Sequence, residues 1–244
     1  MAQESDFTTA EEQAIQALVR EYILSHPEII PEAIAILQQR EELARRIALD
    51  EAIVTNRQRI EYDGLSIVVG DPSSALTFVE YYDYRCPFCY ENHPAIQRLV
   101  SENPDVRFVF KQFPVKDIPG EYPVSLLAAK MAMAAEMQGK FLTFHDTAFI
   151  AERPLRESDL LAIAEMAGID MGRLLTDMDD PRIIESIREN LIMARNVGIT
   201  GTPTFIIGGQ IYEGLQSYQT LQQALDEAWS RTRTTAEAKV PGQE

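Results

Sequence analysis

The chain is 244 residues long, with 38 acidic against 22 basic side chains and a net charge of −16. That balance excludes a phosphate-neutralising nucleic-acid binder and would repel an anionic membrane surface. No apolar run approaches the ~18 residues needed to span a bilayer.

The amino terminus has neither the basic region nor the hydrophobic segment of a signal peptide. The sequence is therefore read either as a cytoplasmic protein or as the mature form of an exported one. Thr9-Ala10-Glu11-Glu12 has the hydroxyl-to-carboxylate spacing of a capping box. It predicts a helix carrying Ile15, Leu18, Val19, Tyr22 and Ile23 on one stripe, stopped by Ser25-His26-Pro27. A second helix is expected from about Pro31, with Ala33, Ile34 and Leu37 on one side, running into a charged stretch at 38–46. Residues 1–62 read as a helical arm. It either lies on its own core or buries its stripe against a second copy, and its place ahead of the strands favours self-association.

Leu65 to Val69 reads as a strand, closed by the turn cluster Gly70-Asp71-Pro72-Ser73-Ser74. Leu76 to Tyr82 is an apolar, aromatic run expected to be a buried strand. A helix over 90–100 and a strand over 106–111 follow, which together make a βαβ unit. From about 115 to 197 helix follows helix. Leu126, Ala129, Lys130, Met133 and Met137 share a face, Phe141, Phe144, His145 and Ala148 come next, and Pro181 opens a later helix. The methionines Met131, Met133 and Met137 are expected to fill core. After Gly198 the chain returns to strands at Thr204–Ile207 and Gln210–Tyr212 around the turn Gly208-Gly209. Ser217 is placed to cap a last helix, and a flexible tail is expected over 233–244.

The only two cysteines stand together as Cys86-Pro87-Phe88-Cys89, where a strand ends and a helix begins. Unpaired N–H groups and the helix dipole there favour a thiolate, the species that attacks disulfides. Cys86, nearer the helix start, is expected to be the more exposed nucleophile, and Cys89, one turn in, to resolve the mixed disulfide. Cys86, Cys89 and His93 also stand at a metal-ligand spacing, but a structural zinc wants four ligands and no further cysteine exists, so no metal is expected. His93 reads as a helix-surface or supporting residue and His145 as a core histidine. No phosphate-binding loop or dinucleotide fingerprint occurs, so no organic cofactor is expected. A carboxylate at Glu80, on a strand expected to be buried, is costly unless paired, and Lys111 offers itself as the partner. From the residues alone, Pro203 either forms a cis bond beside the redox pair or merely begins a strand.

Phe78-Val79-Glu80-Tyr81-Tyr82-Asp83-Tyr84-Arg85-Cys86-Pro87-Phe88-Cys89, with Gly201-Thr202-Pro203-Thr204-Phe205, resembles the DsbA-like family of thiol-disulfide oxidoreductases. The helical arm and the Cys-Pro-Phe-Cys motif are similar to its Com1 and ScsC-type branch. The resemblance implies an α/β thioredoxin fold over 63–232, with a helical insertion at about 115–197. It implies an attacking Cys86, a resolving Cys89, a cis-proline at Pro203 and a buried acid at Glu80. The substrate is expected to meet Thr202, Pro203, Pro87 and Phe88. The expected partners are cysteine-containing proteins and a redox protein that recharges the pair, in a periplasmic or otherwise extracytoplasmic location. Phe88 departs from the histidine of the best-known family members, and a less extreme thiolate is expected for it. Rival readings are an oligomeric isomerase or reductase, a glutathione-dependent enzyme acting on small molecules, and a module whose two cysteines form a static disulfide.

Overall fold

The computed structural model describes the backbone of residues 7–238 and side chains through residue 232. The chain divides into two compact units, with the boundary between Ala48 and Leu49.

In the first unit, helix α1 (Thr9–Ser25) starts one residue earlier than the spacing suggested. Thr8 is the cap: its hydroxyl accepts from the Glu11 N–H, and the Glu11 carboxylate accepts from the Thr8 N–H at 2.8 Å. Both hydroxyl–carboxylate pairs fit the motif, and the one that closes leaves Thr9 as the first helical residue. None of the α1 side chains is buried. Leu18, Val19 and Tyr22 lie open to solvent, as do Ile34 and Leu37 on the next helix. That helix, α2 (Ile29–Glu61), is a single run of 33 residues. It runs unbroken through the polar stretch 55–59, within the arm expected over 1–62, and Pro31 sits in the first turn, where its missing N–H costs nothing.

The second unit is built on a five-stranded sheet of β1 (Ile67–Gly70), β2 (Thr77–Tyr82), β3 (Arg107–Gln112), β4 (Thr204–Ile207) and β5 (Gln210–Glu213), in the order β1-β3-β2-β4-β5. Only β2 and β3 run parallel, as their link through helix α3 (Pro87–Glu102) demands. All six residues of β2 are buried, because both faces of the sheet are covered. One face presents Phe78, Tyr82, Phe108, Phe110 and Phe205 to α3, to the insertion helices and to the last helix. The other presents Val79, Tyr81, Val109 and Ile206 to Leu49, Ile53 and Ile60 of α2.

The insertion comprises α4 (Val124–Glu136), α5 (Phe141–Ile150), α6 (Glu157–Met166), α7 (Met171–Asp177) and α8 (Pro181–Val197). Helix α4 is buried on nearly all sides because its alanines admit close neighbours, so the single expected face is too narrow. Met131 and Met133 fill core, whereas Met137 is 39% exposed. Helix α8 opens on Asp180 and Pro181 and ends at Gly198, whose φ of 84° suits a residue without Cβ. Helix α9 (Tyr218–Ala238) has the Ser217 hydroxyl accepting from the Thr220 N–H at 3.1 Å. The backbone of 233–238, read as the start of a flexible tail, is helical, and the remainder of that tail, 239–244, lies outside the described residues.

Candidate active site

Helix α3 begins within the cysteine motif itself. Cys86 is the N-cap, with φ −74° and ψ 121°, and Pro87 takes the first helical position. The Cys86 N–H donates to the Asp83 carbonyl at 3.0 Å, and its own carbonyl accepts from the Tyr90 N–H. Pro87 and Phe88 face outward, while Cys86 and Cys89 are free thiols, each 1% exposed. The expectation that Cys86 is the more exposed sulfur is therefore corrected. Its thiol turns in beneath the 201–204 segment and donates to the Thr202 carbonyl at 3.1 Å.

That segment brings a distant part of the sequence to the pair. The Thr202–Pro203 peptide is cis, and Pro203 also stands immediately before β4. The two readings of this proline thus hold together. Its carbonyl accepts from the Gly214 N–H at 2.9 Å. Thr202 is buried, and its hydroxyl has no hydrogen-bond partner while the Cys86 proton is committed to the carbonyl of the same residue.

The two sulfurs are alike in surface exposure but differ electrostatically, Cys89 lying the deeper of the two. A hydrogen bond from the Cys89 thiol holds Cys86 down to about 5 against the opposing effect of burial. The Thr202 side chain and the N–H groups of Cys89 and Phe88 reinforce it. The Thr202 hydroxyl is free to turn to the sulfur once the thiol has lost its proton. Burial pushes Cys89 well above the ordinary thiol range, and its bond to Cys86 acts in the same direction. One cysteine is a thiolate at neutrality and its neighbour a thiol.

Glu80 lies on β2, 4% exposed, with Oε2 unpartnered, and burial alone raises its pKa to about 8. The expected pairing with Lys111 does not form. In the parallel register Glu80 stands opposite Phe110, and Lys111 opposite Tyr81. Neighbouring residues on a strand point to opposite faces, so the two charges are on different sides of the sheet. Lys111 instead pairs with Asp63.

His93 is buried rather than superficial. It stacks on Phe149 with 4.8 Å between ring centroids, and its Nε2 stands 3.2 Å from Asp146. His145 shares a hydrogen bond of 3.0 Å between Nδ1 and the Tyr84 hydroxyl, and burial drives its pKa well below 6.5. Among the described residues no group of three or more His, Cys, Asp or Glu side chains is placed to hold a metal ion.

Two residues around the pair carried no role in the sequence reading. Arg153 donates through Nη1 to the Tyr84 carbonyl at 2.7 Å, and its guanidinium lies over the Tyr90 ring. Asp83 is 2% exposed and accepts four hydrogen bonds. The only local signal for it was an aspartate two residues before Arg85, the spacing of an Asx turn.

A family model described as a DSBA-like thioredoxin domain matches residues 77–226, more than half of the chain. The chain belongs to that family. A second model, described as the copper resistance protein ScsC N-terminal domain, matches residues 11–44 of the arm. A thioredoxin-like oxidoreductase from Silicibacter pomeroyi is 34% identical with a TM-score of 0.66, over 72% of this chain and 98% of that one. A periplasmic thioredoxin-like protein from Salmonella enterica serovar Typhimurium is 30% identical with a TM-score of 0.62, over 71% of this chain and 95% of the other. Salmonella enterica Typhimurium BcfH, at 24% identity, shares the fold with a TM-score of 0.75 over 90% of this chain and 96% of its own. Among curated relatives, the Na(+)/H(+) antiporter NhaA 1 of Salinispora arenicola is 32% identical over 68% of the chain. The chain spans about a quarter of the length of that relative.

Proposed function

We propose that this chain exchanges disulfides with cysteine-containing polypeptides through Cys86 and Cys89, without metal or organic cofactor. The observation that carries the reading is the asymmetry of the pair: Cys86 held at about 5 on a helix N-terminus beside a cis-proline, and Cys89 kept protonated. In the oxidising direction a substrate thiolate attacks Cys86 of the intramolecular disulfide. Cys89 leaves as a thiolate and takes up a proton, for which Glu80 is the nearby acid. A second substrate thiolate then attacks the mixed disulfide and releases Cys86, an excellent leaving group at its low pKa. Reduction runs the same steps backwards, and a partner that recharges the pair sets the net direction. Thr202 and Pro203 offer backbone to an extended substrate, with Pro87 and Phe88 forming the outer lip.

A Cys89→Ala variant tests this. It should accumulate mixed disulfides on Cys86 when expressed in the native host, and none should form in the Cys86→Ala control. Absence of any adduct in Cys89→Ala would overturn the reading. Recovery of the partners from an extracytoplasmic fraction would place the reaction there, as the likeness to a protein described as periplasmic supports.

The exposed stripe of the arm supports a second element of the proposal, association between copies through α1 and the start of α2. Several redox pairs around one space would favour isomerisation over simple oxidation. Light scattering should give a mass above 27.5 kDa for the intact chain. Leu18→Glu with Tyr22→Glu should return it to that value, and a monomeric intact chain would remove this element.

A further inference from the structure

Asp83 stands three residues before Cys86, in the turn that joins β2 to α3. Its carbonyl accepts from the Cys86 N–H, and its carboxylate is filled from two directions. Oδ1 accepts from the Arg85 N–H and the Ser125 hydroxyl, both at 2.8 Å. Oδ2 accepts from the Val115 and Lys116 N–H groups at 2.7 and 2.8 Å. All four contacts donate, so only the ionised carboxylate satisfies the site, because a protonated oxygen would present its own hydrogen to a donor. Burial opposes that ionisation. A charged side chain kept almost wholly out of water is costly, and three backbone bonds and one hydroxyl bond offset part of that cost, burial remaining the larger effect.

The partners come from three places in the sequence. Arg85 belongs to the redox turn, Val115 and Lys116 to the loop that leaves β3, and Ser125 to the first turn of α4. The loop is secured a second time from the same turn. The Arg85 guanidinium donates to the Lys116 carbonyl at 3.4 Å and stands 3.6 Å from Asp117. Asp117 in turn accepts from the N–H groups of Ser125 and Leu126 at 2.7 and 2.9 Å, closing the open end of α4. The lead-in to the helical insertion is thus bolted to the turn that presents Cys86.

We propose that Asp83 is a positioning residue for the redox pair: its carboxylate closes the 83–86 turn from within and registers that turn against the insertion, so that the Cys86 sulfur stays aligned with the N–H groups at the start of α3. The inference rests on the disulfide-exchange reading but is read out separately from it.

The decisive variant is Asp83→Asn, which keeps the shape while one side-chain atom becomes a donor facing donors. Cys86 ionisation is followed by thiolate absorbance against pH in the reduced protein. Electrostatics and positioning predict opposite signs. Loss of a nearby negative charge alone would make the thiolate easier to form, whereas loss of alignment makes it harder. Positioning therefore predicts that the half-point rises from about 5, with the thiolate at least tenfold less favoured and the glutathione exchange constant moved tenfold towards the disulfide, a potential about 30 mV lower. Ser125→Ala removes one donor without touching the turn, and should shift the half-point in the same direction by a smaller step. An unchanged or lowered half-point in folded Asp83→Asn overturns the proposal, as does an unchanged one in Ser125→Ala should the first variant fail to fold. If the wild-type pair exchanged with no disulfide at all, the proposed function would fall, while the titration would still report on the latch.

Discussion

Glu80 makes the stability of this protein depend on pH in an unusual direction. Its pKa is raised from the ordinary 4.5 to about 8 because the fold takes the carboxyl out of water without giving it a partner. The folded state therefore holds this proton more tightly than the unfolded chain does. The sign follows: the contribution is full below pH 4.5, falls as pH rises, and is lost by pH 8. At about 1.4 kcal/mol for each tenfold difference in proton affinity, the whole range is on the order of 5 kcal/mol, most of which falls between pH 5 and pH 8. Glu80→Gln removes the titration and keeps the shape. Urea unfolding of both proteins, followed by far-ultraviolet circular dichroism at pH 5 and pH 8, isolates the effect, since His145 titrates alike in each. The variant should gain on the order of 3 to 4 kcal/mol on wild type between the two conditions. A difference that stays constant with pH, or shrinks as pH rises, would refute the claim that burial dominates this carboxyl.

Cys89→Ala should raise the half-point of Cys86 alkylation by iodoacetamide from about 5, because the Cys89 thiol is the largest single stabiliser of the thiolate. A half-point that stays put would shift the credit to the helix start and to Thr202. On the far face of the sheet, Asp63→Asn should cost about 3 kcal/mol or more in urea unfolding, since it strands the buried Lys111 ammonium. Lys111→Met should cost less, because Asp63 keeps its bonds from Leu65 and Ser66. The reverse ranking would show that the lysine stem, not its charge, is what matters there.

Most of the chain was legible because its signals are local. Turn clusters at 70–74 and 208–209, Pro181 and Gly198 around α8, and the strand-to-helix junction at Cys86 each bound an element through a few neighbouring residues. What escaped is set by distant geometry. Glu80 and Lys111 lie 31 positions apart, and only the parallel register separates them to opposite faces of the sheet. Cys86 reads as exposed from its place at a helix start, but the 201–204 segment that covers it arrives 116 residues later. Asp83 resembles an ordinary turn residue, and its importance lies in donors supplied from residues 115, 116 and 125.

The burial of both sulfurs has a consequence for what can react with them. Cys86 is 1% exposed against the 202–203 segment, so a partner must bring its own sulfur into line with a covered one. A disulfide in a slack or unfinished part of a chain meets that demand, and one locked inside a completed core does not. On the disulfide exchange proposed above, a covered Cys86 favours compliant partners over finished ones.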